Sequence, residues 1–191
     1  MNKFSKSEKI SIFVIFFILA LISIPNFAIS LKRARDQVRK DDMGALQHVL
    51  WVYFADSRSY PPASSDGKIM ACKNPGDKVE IDDMGKLKVN WIPCEWGRDG
   101  VVDLTPGSLK EYMHILPREP NYEKGASYRY FSDGRRFQMF VSLEGKDEDE
   151  YDPKIIARNI MCGNIICNAG RVSGCPVEKT LQECEEETLK K

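Results

Sequence analysis

The chain is short of the residues on which most enzyme chemistry depends. Its only histidines among 191 residues are His48 and His114. Neither has a cysteine or acidic partner at a metal-ligand spacing, so surface or packing positions are expected for both. No glycine-rich phosphate loop, nucleophile motif or catalytic carboxylate pair stands out, and an enzyme is therefore not expected. Lysine plus arginine (28) and aspartate plus glutamate (28) cancel to a net charge of +0, which removes any long-range field favouring nucleic acid. Arg129, Arg135, Arg136, Arg158 and Arg171 could be read as a DNA-binding patch. Interleaved Asp and Glu break up any single-signed face, and ordinary surface charge is the better expectation. No cysteine precedes Cys72, and no long apolar run follows Leu31. These two absences divide the chain into a thiol-free apolar beginning and a charged remainder.

The apolar beginning runs from Ile10 to Leu31. Over Ile10 to Ile24 it reads ISIFVIFFILALISI, with twelve Ile, Phe, Leu or Val residues and no charge. At roughly 0.3–0.6 kcal/mol per residue, bilayer insertion is favourable by about 4–7 kcal/mol. A buried core helix would keep a polar face, and this run has none. Pro25 interrupts the amide ladder and is expected to kink or loosen the helix, a fault membrane helices tolerate. Orientation is contested. Lys32, Arg33, Arg35, Arg39 and Lys40 follow the run and outnumber Lys3, Lys6 and Lys9 before it, which by the positive-inside rule points the C-terminal side to the cytoplasm. The cysteines argue the reverse. A secretory signal cut near Ala28 and Ser30 is the competing reading, but helical character continues straight through that point.

Helical periodicity continues to about Arg58. Leu31, Ala34, Val38, Ala45, Val49 and Val52 mark one face, widened by Met43, Leu46, Leu50, Tyr53 and Phe54. Arg35, Asp36, Arg39, Lys40 and Asp42 are placed on the opposite, solvent side. Tyr60-Pro61-Pro62 ends the helix. In the remainder, Ser127 to Ser132 and Arg136 to Leu143 flank Asp133-Gly134 and read as a hairpin. Phe137, Met139, Val141 and Leu143 form its apolar face, expected to pack on Leu46, Leu50 and Tyr53. Thr105-Pro106 reads as a helix start with Leu109, Met113 and Leu116 on one face. Val101 to Leu104 and Leu87 to Ile92 are candidate strands. Trp51, Trp91 and Trp96 read as core residues, and the chain after Gly145 as irregular.

Cys72, Cys94, Cys162, Cys167, Cys175 and Cys184 are an even set outside the apolar run, which suggests disulfides in an oxidising compartment. A zinc site built from the last four is the alternative, but zinc ligands come in closer pairs. Six cysteines allow fifteen pairings that sequence alone does not decide. Proximity suggests Cys72 with Cys94, Cys162 with Cys167, and Cys175 with Cys184.

The stretch Ser23-Ile24-Pro25-Asn26-Phe27, with Lys32-Arg33-Ala34-Arg35-Asp36-Gln37-Val38-Arg39-Lys40-Asp41 beyond it, resembles the spine helix of type IV pilins and type II secretion pseudopilins. Tyr60-Pro61, Tyr112 to Pro120 and Tyr128 to Leu143 are similar in order and spacing to the major pseudopilin head. The resemblance implies that Phe4 is the first mature residue and that Glu8 is the buried glutamate pairing with a neighbour's free amine, with Pro25 in the assembly helix. The family's prepilin peptidase cuts after glycine, whereas Lys3 stands here and Ser5-Lys6-Ser7 replaces apolar residues. A minor or unprocessed subunit is the form this departure implies. Asp147, Asp149 and Asp152 alternate in the segment where pseudopilin heads carry calcium, a cation suited to several oxygen ligands; a solvated acidic loop is the other reading.

The fold expected is α+β. It has a leader-like segment (1–9), a transmembrane half-helix (10–31), an amphipathic half-helix (32–58) and an extracytoplasmic head (59–191), with a sheet core near 100–144 and a cysteine-rich region over 145–191. The function expected is a structural subunit of a type IV pilus or type II secretion-type filament. Its partners would be other pilin-like subunits and an inner-membrane assembly platform. It would sit in the cytoplasmic membrane with its head outside, or in an extracellular filament. The alternative is a single-pass anchored binding domain that never polymerises.

Overall fold

The structure is a computed structural model that describes residues 5–72, 80–81, 87–88, 92–104, 108 and 110–190. Phe4, Trp91 and the Thr105-Pro106 helix start lie outside the described residues. The first element is a single helix, α1 (Lys6–Ser57), of 52 residues, about 78 Å long at 1.5 Å per residue. It starts at a capping box. The Ser5 side chain accepts from the Glu8 amide at 3.3 Å, and the Glu8 carboxylate accepts from the Ser5 amide at 2.7 Å. The helix runs through position 25 without a break. Just beyond it the Asn26 side chain donates to the Ile22 carbonyl, and Ser30 donates to the Asn26 carbonyl. It ends where Arg58 turns left-handed, at φ 59°, and donates its amide to Phe54. The apolar half is long and apolar enough to cross a membrane, and the head covers none of it.

The second half of α1 docks on the head by one side of the face that periodicity marks, the Met43, Leu46, Val49, Leu50 and Tyr53 side, continued by two charged residues. The buried positions are Asp36, Arg39, Met43, Leu46, Val49, Leu50 and Tyr53, at steps of three or four apart from Val49 to Leu50. Leu31, Val38 and Val52 are exposed, and so is Trp51, at 50%. The head sits on the Met43–Leu46–Leu50–Tyr53 side, and over the next two turns toward the apolar run that same side carries Arg39 and Asp36. The expected solvent face is thus partly the docking face, and Trp51 is not core.

The head is built on a three-stranded antiparallel sheet of β5 (Arg129–Ser132), β6 (Phe137–Val141) and β9 (Ala169–Ser173), in the order β5-β6-β9. The turn joining the first two strands places Gly134 at φ 84°, a conformation glycine adopts without strain. Phe137, Met139 and Val141 pack in one cluster with Leu46, Leu50 and Tyr53, each buried apolar side chain contributing about 1.5–3 kcal/mol. The other face of β6 is buried as well. Phe140 packs with Ile155, Cys162 and Cys167, and Gln138 donates to the Pro176 and Lys179 carbonyls at 2.8 Å each.

The region after Gly145 forms this back layer and is not irregular. It holds α2 (Pro153–Ala157), the hairpin β7 (Met161–Cys162) and β8 (Ile165–Ile166), the strand β9, and α3 (Leu181–Leu189). The bridges join Cys72 with Cys94, Cys162 with Cys167, and Cys175 with Cys184. Of the expected helix through Met113, residues 111–113 are a strand. β4 (Glu111–Met113) pairs with β3 (Val101–Val102) beside α1, and this pairing outweighs the helical spacing of Leu109, Met113 and Leu116. β1 (Glu80–Ile81) and β2 (Leu87–Lys88) form a further two-stranded ladder.

The head lies lengthwise along the helix. Glu144 and Gly145 donate their amides to Asp36, and Tyr128 donates to Asp42, at the end nearer the apolar run. Tyr112 meets Tyr53 at 4.9 Å between ring centroids, and the Tyr60 amide donates to Gly134, at the far end.

Candidate functional site

The most unusual feature of the described residues is the ionic junction where spike meets head. Arg39 is fully buried and faces three carboxylates. Its Nε donates to Glu119 Oε1 at 2.6 Å, and its Nη1 donates to Asp36 at 2.7 Å and to Glu144 at 3.1 Å. Nη2 lies 2.5 Å from the same Glu119 oxygen but makes no aligned hydrogen bond there, so Nε is the effective donor. Arg35 forks onto Glu144 through Nε and Nη2, both at 2.6 Å. Asn121 adds a bond to Glu144 at 3.0 Å. Two guanidiniums thus face three carboxylates, and backbone amides supply part of the remaining compensation.

The electrostatics follow from this geometry. The Arg35 bond holds the Glu144 carboxyl down at about 2; burial opposes it and Arg39 assists. Burial works against the charge on Arg39, but Glu119, Asp36 and Glu144 outweigh it and raise its pKa above the ordinary value. Burial raises the pKa of Asp42, with the Tyr128 hydroxyl opposing the shift. Burial, and then Asp42, push the Tyr128 phenol well above its usual range.

Further pairs extend the junction toward the apolar run. Lys40 meets Glu148 at 2.7 Å and Glu150 at 3.5 Å, and Arg33 meets Asp147 at 3.4 Å. Four of the five cations that follow the run are therefore paired with carboxylates at the junction.

Chemically the junction is a clamp. Forked arginine–carboxylate bonds fix angles as well as distances, so they set how far along the helix the head sits and how it is rotated. Asp36, Arg39, Glu119 and Glu144 were not among the candidate site residues from the sequence. The available signal was that 36, 39, 43, 46, 50 and 53 form one helical stripe whose lower end happens to be charged.

The calcium candidates are not brought together. Asp147 pairs with Arg33, Asp152 caps α2 by accepting from the Lys154 amide at 2.9 Å, and Asp149 stands exposed. Among the described residues no three His, Cys, Asp or Glu side chains converge as metal ligands. Glu8 lies in the capping box, exposed, and the side chain of Pro25 is not described. Three of the five arginines are engaged within the head: Arg129 donates to the Ser65 and Asp66 carbonyls, Arg136 to Asp133 and Thr188, and Arg158 to Gln138 and Val177. His48 is exposed, and His114 is exposed beside Glu111 at 3.1 Å.

No family model, curated protein or solved structure matches this chain.

Proposed function

We propose that this protein is a pilin- or pseudopilin-like structural subunit that assembles through its N-terminal helix. The observation that carries the reading is the uncovered part of α1. Its apolar half meets no part of its own head, and the exposed residues Leu31, Val38, Ala45 and Val52 continue an apolar stripe at steps of seven. A helix apolar all round must be enclosed by lipid or by other helices, and a seven-residue repeat suits side-by-side helices. The ionic junction supports the same reading, since a subunit pulled by its head or its helix needs the two locked together. Three disulfides fit assembly outside the cytoplasm.

The test is Val38→Asp, which leaves the head-contacting face alone. Filaments sheared from cells and imaged by electron microscopy should disappear, while the head keeps its thermal transition. Single copies in the membrane for both the parent and the variant would refute assembly.

The second reading, an anchored binding domain, is favoured by a cleft of about 530 Å³ lined by Phe131, Gln138, Arg158, Ile160, Glu178, Thr180, Leu181 and Glu183. Under that reading Val38→Asp changes nothing, and substituting Arg158 abolishes partner capture.

A further inference from the structure

The head carries an apolar surface that the ionic junction and the uncovered helix do not account for. Outside α1, six large apolar side chains are exposed among the described residues, and four of them belong to two adjoining pieces of chain. Met161, Ile165 and Ile166, at 37–40% exposure, belong to β7–β8, and Tyr122, at 42%, to the 3-10 turn Tyr122–Lys124. Met161 and Ile166 are cross-strand partners. The hairpin is tightened by the Cys162–Cys167 bridge, which packs with Phe140 and Ile155 inside the head, while Met161 and Ile166 share its outer face and Ile165, opposite Cys162, is exposed beside the hairpin tip. Gly163, at φ 74°, lets the hairpin tip pack against Gly125. The Asn164 side chain donates to the Lys124 carbonyl at 2.7 Å, and its amide donates to Gly125 at 2.9 Å. Hairpin and 3-10 turn are therefore one rigid surface.

Position along the helix identifies what this surface meets. Asn121, at the start of the 3-10 turn, bonds Glu144, whose amide is held by Asp36. Asp36 lies five residues beyond Leu31, about 7–8 Å along the helix. The headgroup layer on each side of a bilayer is roughly 5–8 Å deep. The end of the head bearing this surface is thus at headgroup height if α1 crosses the membrane. Tyr122, stacked under Arg118 at 4.2 Å, is the amphipathic pair favoured at that depth. In the acidic loop of the same end, Asp147 is paired with Arg33, and Glu148 and Glu150 share Lys40, which offsets part of its negative charge.

We propose that the β7–β8 hairpin, with Tyr122, is a foot that seats the head on the lipid headgroup layer of the membrane crossed by α1. The foot inserts Met161, Ile165 and Ile166 at the boundary of headgroups and acyl chains. It rests on α1 spanning the bilayer, not on polymerisation, and it gives the unassembled subunit two membrane contacts and a fixed head orientation.

The experiment uses the full chain, one copy per nanodisc of phosphatidylcholine with phosphatidylglycerol, with and without bromine on the upper acyl chain. Ile166→Trp should add emission that is largely lost in brominated lipid, whereas Arg135→Trp, in the turn at the far end, should add emission that is not. Phe17→Trp reports the span. Quenching of Phe17→Trp without quenching of Ile166→Trp overturns the foot and leaves the span standing. Quenching of neither overturns both. Ile166→Trp emission that shifts only with the number of copies per nanodisc, without bromine quenching, assigns the surface to a second copy and also overturns the proposal. Ile165→Trp gives the same reading if Ile166→Trp does not fold.

Discussion

Replacing Arg39 by methionine tests the clamp most directly. Methionine keeps much of the buried stem volume and removes only the charge and its donors. The structure then leaves Asp36 and Glu119, both at 3% exposure or less, without their shared guanidinium. Asp36 retains the Glu144 and Gly145 amides. Glu119 retains the Asn121 amide and Glu144 retains Arg35, so compensation is partial. Removing one partner of a buried ionic cluster costs about 3–5 kcal/mol, and the retained amides place Arg39→Met at the lower end, about 3 kcal/mol. Urea unfolding of the full chain in a nanodisc, followed by tryptophan emission under non-reducing conditions, reads this as a lower midpoint at unchanged slope. Adding Glu119→Gln should recover part of the loss, because the stranded charge is removed. A loss below about 1 kcal/mol, the size of an exposed ion pair, would refute the claim that this cluster fixes the head to the helix.

Three further outcomes are expected. Glu144 falls from 4.5 to about 2 on folding, so its contribution is fully present above about pH 4.5 and is lost as pH falls toward 2. After screening this amounts to about 2 kcal/mol, and Glu144→Gln should flatten the pH dependence of the urea midpoint over that window; an unchanged slope would assign it to other groups. Replacing Cys72 and Cys94, 22 residues apart, by alanine should cost about 3 kcal/mol, against about 2 kcal/mol for Cys162 and Cys167, five apart, because the longer loop loses more unfolded-state entropy when bridged; the reverse order in urea melts would count against that account. Gly170→Val should cost about 1–3 kcal/mol, because even a Cβ there would lie 2.6 Å from the Met139 carbonyl and 2.8 Å from the Phe140 ring; a variant with the parental melting temperature would mean that β9 is not held as closely to β6 as described.

The features legible in the sequence are those written into neighbouring residues. The uncharged run from Ile10 fixes its own environment, because no partner is needed to make twelve apolar side chains avoid water. Asp133-Gly134 fixes a turn through the positive φ of glycine. The even, late cysteines point to an oxidised head. Other features depend on what packs against what, and periodicity cannot supply that. Ala169–Ser173 has no strand alternation of its own and becomes β9 only by pairing with β6. Residues 111–113 exchange a helical spacing for a strand once Val101 lies opposite Met113.

The docking face of α1 shows the division most clearly. The sequence determined that the second half is a helix with an apolar stripe, because local spacing and caps suffice for that. The tertiary structure decided which stripe is covered. It turned Val38 and Val52 outward, and it brought Asp36 inward to the Glu144 and Gly145 amides and Arg39 inward to carboxylates about eighty and a hundred residues away. A charge becomes a core residue only when its partners arrive with it, and no local pattern encodes that meeting.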